Sequence, residues 1–127
     1  MNDHQHVIFD DTAIVAASRG SPIASRLIQR AHAADGISLY ATACALVEAE
    51  RARQGSAEHV ASLPGFNLLD LDLPAALAVA RDTTWALAHT RHAAAPTIDR
   101  PEGALIATAD PARWSGQPVR LIDVRPT

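Results

Sequence analysis

The chain has 127 residues, a formal charge of -3, and 48% apolar but only 4% aromatic residues. That is one domain with room for a core rich in alanine, and it excludes a globally basic nucleic-acid binder. The single cysteine, Cys44, excludes an internal disulfide and a multi-cysteine zinc site. No apolar run approaches the ~20 residues that span a bilayer. The start, Met1 to His6, has neither the basic end nor the apolar core of a signal peptide. A cytoplasmic protein with no membrane partner is expected.

The first element is Val7-Ile8-Phe9, running into Asp10-Asp11-Thr12 and a second apolar run from Ile14 to Ala17. Consecutive rather than alternating apolar residues predict a strand buried on both faces, as in a parallel sheet. Ser21-Pro22 predicts a helix start, with Ile23, Leu27, Ile28 and Ala31 on one face and Asp35-Gly36 as the stop. Residues 37–40 read as a second strand, and Thr42 caps a helix running to about Arg53. A short helix from Ser56 ends at Pro64-Gly65, and residues 66–71 read as a third strand. Asp72 caps a helix with Pro74 in its first turn, and another helix runs from Trp85 to about Ala94. Two prolines and a glycine make 96–103 a loop. Residues 104–108 and 119–124 read as strands four and five. Strands alternating with helices predict an α/β fold: a mainly parallel sheet of about five strands with helices on both faces.

Three carboxylates stand out in that frame. Asp10 and Asp110 each end an apolar strand, and parallel strands end on one edge, where α/β sheets bind ligands. Glu48 lies on the helix after the second strand, near that edge. Carboxylates that converge repel one another unless a cation joins them, and an all-oxygen set favours Mg²⁺ or Mn²⁺. Such an ion suits phosphodiester hydrolysis. Taken singly, an Asp after a strand is commonly a turn former or helix cap, and Asp110-Pro111 in particular fits a cap of a short helical turn.

Three motifs resemble the PIN domain family of small metal-dependent nucleases, which includes toxins of bacterial toxin–antitoxin pairs. The stretch from Val7 to Ile14 is similar to the family's opening strand and acid. The stretch from Ala43 to Arg51 resembles the apolar helix that delivers a Glu. The stretch from Ile106 to Trp114 resembles the closing Thr-x-Asp. The resemblance covers nearly the whole chain. It implies a metal-dependent ribonuclease hydrolysing RNA, with Asp10, Glu48 and Asp110 as catalytic metal ligands. Thr12 and Thr108 would orient the carboxylates or the water. It also implies RNA as substrate, an antitoxin as protein partner, and a homodimer.

One motif departs from the family. Its further Asp normally starts an alanine-rich helix, but the matching helix here, 85–94, carries no acid. Asp82, His89 and Asp99 are the candidates to replace it. The alternative is a PIN-like module that has lost catalysis and binds RNA or a protein partner. An arginine or an apolar side chain in the gap between the acids would mark that module. A flavodoxin-like receiver is a third reading, distinguished by strand order. Arg51, Arg53 and Arg113 follow two of the motifs and are candidates for phosphate contacts. Trp85 and Trp114 are read as packing residues, with Trp114 placed near the acids. Cys44, with no basic neighbour, reads as a small core residue. His4 and His6 read as part of a terminal tail, and His32 and His59 as surface residues.

Overall fold

A computed structural model describes residues 4–125. The strands are β1 (Gln5–Phe9), β2 (Ile37–Thr42), β3 (Phe66–Leu69), β4 (Leu105–Thr108) and β5 (Leu121–Asp123). The helices are α1 (Asp11–Ser18), α2 (Pro22–His32), α3 (Ala43–Ala52), α4 (Ser56–Ala61), α5 (Leu73–Ala80) and α6 (Trp85–Ala94). A 3-10 turn, Pro111–Trp114, follows β4.

All pairings are parallel, in the order β3-β2-β1-β4-β5. The expected α/β architecture is therefore present, and the order is not the 2-1-3-4-5 of a flavodoxin-like receiver. The chain steps outward from β1 through β2 to β3, then returns to β1's other side for β4 and β5. The point of reversal lies between β1 and β4, whose carboxyl ends carry Asp10 and Asp110. Crevices form at such switch points because successive crossovers depart to opposite sides.

The continuous apolar runs mean what they imply, burial on both faces. Val7, Phe9, Leu39 and Ala107 pack with Ile14 of α1, Leu27 of α2 and Val60 of α4. Ile8 and Ile106 face the other way, onto Ala93 and Ala94 of α6 and onto Trp114. Phe9 meets Phe66 edge-on at 5.0 Å, the arrangement aromatic quadrupoles favour.

Most boundaries follow local chemistry. Ser21, Thr42 and Asp72 cap α2, α3 and α5, accepting from the N–H groups of Ala24, Ala45 and Ala75. Helix α1 has no counterpart in the sequence-based reading. Its eight residues bury Asp11, Ala13, Ile14, Ala16 and Ala17, so its sequence shows an apolar run without a helical period. What starts it is Asp10, in extended backbone, whose carboxylate accepts from Ala13 N. Helix α4 has no side-chain cap of its own. Glu50 of α3 serves instead, accepting from Gly55 N at 2.7 Å and Ala57 N at 3.1 Å. At the entry to β4, Gly103 has φ +73°, and a Cβ there would strike the Ala94 carbonyl. That same carbonyl accepts from Ala104 N at 3.0 Å, tying α6 to the start of β4. Among the described residues no helix is long and apolar enough to cross a membrane.

Candidate functional site

The carboxyl ends of β1 and β4 are sewn together by two threonines. Thr12 Oγ1 donates to Asp10 Oδ1 at 2.7 Å, accepts from Ala109 N at 2.9 Å, and lies 3.2 Å from Thr108 Oγ1. Thr108 Oγ1 accepts from Asp110 N at 3.0 Å. The threonines therefore do hold the acids in place, one through a side-chain contact and one through the backbone.

Asp10 is fully buried. Oδ1 takes the Thr12 hydroxyl and the Ala13 N–H. Oδ2 accepts the indole N–H of Trp114 at 3.0 Å. Trp114 is 2% exposed, so this donor reaches Asp10 from within the core. Three donors replace the water that burial takes from this carboxyl group.

The cation of the site is Arg113. A 3-10 turn eclipses side chains three apart, so Asp110-Pro111-Ala112-Arg113 lays the guanidinium beside Asp110, Nε to Oδ2 at 3.8 Å. Nη1 reaches across to Asp11 Oδ1 at 2.5 Å and lies 3.8 Å from Asp10 Oδ2. Burial pushes the Asp11 carboxyl above its usual range, and Arg113 opposes that shift without cancelling it.

Glu48 is exposed on α3. It forms no hydrogen bond or ion pair with Asp10 or Asp110 among the described residues. It does line a crevice of about 660 Å³ together with Asp11, Arg51, Arg113, Val47 and Trp85. Asp10, Asp11 and Asp110 are thus gathered around Arg113, while Glu48 stands across the crevice. Among the described residues no three His, Cys, Asp or Glu side chains are grouped to hold one metal ion. The donors are chemically suited to Mg²⁺ or Mn²⁺. Arg113 supplies the positive charge, and both Asp10 oxygens are already engaged.

None of the three replacements proposed for the absent fourth acid reaches the cluster. Asp82 sits before α6, accepts from Thr83 N and Thr84 N, and pairs with Arg91 at 2.6 Å. That pairing lowers its pKa to about 2. Asp99 lies in the 96–103 loop at the opposite edge of the sheet. His89 is buried, its Nδ1 accepting from Cys44 N at 3.3 Å while the ring also bonds the Asp70 backbone. It joins α6 to the start of α3 and to the end of β3. The start of α6, Trp85, Ala86 and Leu87, lines the crevice instead. Cys44 is buried as expected, and burial pushes its thiol pKa up. Arg51 lines the crevice, whereas Arg53 ends α3 outside it.

Burial holds the His89 pKa below its ordinary value. The unfolded chain therefore takes up this proton first, and His89 contributes stability that is present above about pH 6.5 and is lost as pH falls through its folded pKa. His6 has a shift of the same sign. The difference in melting temperature between wild type and His89→Gln isolates the His89 share. The wild type is expected to lose more stability than the variant between pH 7.5 and 5, and parallel curves would refute the assignment.

Sequence reasoning missed Arg113 as the partner of the acids and Trp114 as a donor to Asp10. The one local signal was their position directly after Asp110-Pro111. The chain matches no family model, no curated protein and no solved structure.

Proposed function

We propose that this chain is a PIN-like module that has lost metal-dependent cleavage and binds a protein partner through the crevice beside its acidic cluster. The observation that carries this reading is Arg113, which pairs with the carboxylates where a nuclease would hold its metal. The crevice also favours a protein over RNA. Its charged lining is balanced, Asp11 and Glu48 against Arg51 and Arg113, and the rest is largely apolar. RNA would need an excess of positive charge there. In the crevice lining Val47, Leu71 and Trp85 are 52%, 42% and 67% exposed, and on α5 Leu73 and Leu77 are 71% and 50% exposed. Apolar side chains so exposed favour coverage by another chain, be it an antitoxin-like partner or a second copy.

A second reading, a Mg²⁺- or Mn²⁺-dependent ribonuclease of the toxin type, is favoured by one observation: Glu48 shares the crevice with Asp11 and Arg113. It requires Arg113 to leave the carboxylates and Glu48 to join them.

The test uses the wild-type protein in two assays. On the first reading Mn²⁺ gives no calorimetric binding and no cleavage of a mixed-sequence RNA. The protein also forms a complex with the product of its neighbouring gene, or with itself, that Trp85→Ala weakens about tenfold or more, as loss of an aromatic hot spot does. Mn²⁺-dependent cleavage that Asp10→Asn and Glu48→Gln both abolish would establish the second reading and overturn the first.

A further inference from the structure

At the opposite, amino edge of the sheet lies a second cavity, of about 560 Å³. It is lined by His4 and His6, by Asp99, Arg100 and Glu102 of the 96–103 loop, and by Arg120 before β5. His6 of β1 and His4, just before it, have their rings 5.1 Å apart. Each is fixed by the neighbouring strand: His4 Nε2 lies 2.7 Å from Ser38 Oγ, and His6 Nδ1 lies 2.8 Å from the Tyr40 hydroxyl. The register of β1 with β2 sets these partners, since His6 is opposite Ser38 and Ile8 is opposite Tyr40. The two histidines are thus part of the folded edge and not of a loose tail.

Arg100 stacks on the other side of this assembly, its guanidinium 5.0 Å from the centre of the Tyr40 ring. Its Nη2 donates to the Ala93 carbonyl at 3.4 Å, and its Nε has no hydrogen-bond partner among the described residues. Arg120 Nη2 donates to the Glu102 carbonyl at 3.1 Å. Both arginines are held by neutral acceptors. Among the described residues neither pairs with a carboxylate, in contrast to Arg30, Arg91, Arg113 and Arg125. Two guanidinium groups that form no ion pair with Asp99 or Glu102 of the same lining, and two imidazoles facing that cavity, suit a doubly charged oxyanion.

We propose that His4, His6, Arg100 and Arg120 form a binding site for a phosphate monoester at the amino edge of the sheet. The cavity falls within the usual range for small-ligand sites, about 300–1,000 Å³, so it admits inorganic phosphate or the 5′-phosphate end of a nucleotide. Asp99 and Glu102 on the rim disfavour longer polyanions. The site stands apart from the acidic cluster and does not depend on the reading given to that cluster. Burial, His4 and Arg100 all lower the His6 pKa. A bound dianion reverses the repulsion, so binding favours the protonated His6 imidazole. The groups facing His6 are His4 just before β1, Tyr40 on β2, Arg100 with Asp99 and Glu102 on the loop, and Arg120 before β5.

The experiment titrates the intact protein with inorganic phosphate and follows the imidazole proton resonances by NMR. Sodium chloride at equal ionic strength is the control, because general screening moves exposed charges too. The expected result is a saturable shift of the His4 and His6 resonances and a rise in the His6 pKa. Arg100→Gln and Arg120→Gln, made separately, each lower phosphate affinity about tenfold, the size of one lost charge-assisted contact. Arg120 is exposed, so its variant folds even if the Arg100 variant does not. A nucleoside 5′-monophosphate binding more tightly than phosphate assigns a nucleotide end, and equal affinities assign free phosphate. Shifts reproduced by sodium chloride, by the nucleoside without phosphate, or unchanged in Arg120→Gln overturn the proposal.

Discussion

Replacing Arg113 with alanine is expected to lower the unfolding free energy at pH 7 by about 3 kcal/mol. The low end of the ~3–5 kcal/mol for a stranded buried charge applies, because Arg113 keeps 23% of its side chain exposed. The mechanism fixes how the loss varies with pH. Burial already holds the Asp11 carboxyl above its usual range, against the pull of Arg113. A carboxyl whose folded pKa is raised loses stability as pH climbs through that pKa. Without Arg113 the rise is larger, so the deficit is greatest at neutral pH and shrinks as Asp11 protonates. Urea unfolding at pH 7 and 4.5 measures this, and an equal deficit at both would mean that Arg113 acts through packing alone. Arg113→Lys, which keeps the charge but loses the fork that spans two carboxylates, falls between the two. Mn²⁺ provides a further readout. If the arginine occupies the position of a divalent ion, Mn²⁺ raises the melting temperature of Arg113→Ala and leaves the wild type unchanged.

Asp10→Ala is expected to be the most destabilising single change at this edge, by about 2–5 kcal/mol. Losing an N-cap costs about 0.5–2 kcal/mol, and stranding a buried donor adds about 1–3 kcal/mol. Here the cap is that of α1 and the stranded donor is the Trp114 indole, 2% exposed. Asp10→Asn retains an oxygen for Ala13 N and Thr12 but turns an amide N–H₂ toward the indole N–H, donor against donor. It is therefore also destabilising, and loss of activity in Asp10→Asn alone is no proof of a metal ligand. A double-mutant cycle with Trp114→Phe isolates the contact, with an expected coupling of about 1 kcal/mol or more. A cost below about 0.5 kcal/mol for Asp10→Ala, the level of an ordinary surface substitution, would remove the structural role assigned to this carboxylate.

The two results bear on each other. Asp10 is satisfied by donors from its own helix and from Trp114. Asp11, which a motif register passes over, faces the crevice along with Glu48 and carries the closest contact with Arg113. Glu48 retains the exposure that a ligand or a partner-facing residue needs. The division of labour among four carboxylates follows from how deeply each is buried and what each accepts.

Local chemistry alone determined the α/β class, the five strands, the caps at Ser21, Thr42 and Asp72, and the loop at 96–103. Each is set by residues within a few positions, through side-chain hydrogen bonds to nearby backbone or through apolar runs that must be buried. The same reasoning placed Asp10 and Asp110 on one edge, since parallel strands share it. It passed over α1, whose apolar residues show no helical period because nearly all of them are buried. Tertiary structure alone decided what surrounds the acids. Arg113 meets Asp11 across 102 positions and Trp114 meets Asp10 across 104, and only the adjacency of β1 and β4 brings those pairs together. His89 likewise took its place as a buried strut between α6 and α3 through a fold contact 45 positions away. The carboxylates were readable in the chain, but the charge that neutralises them depends on distance in space, which sequence separation does not encode.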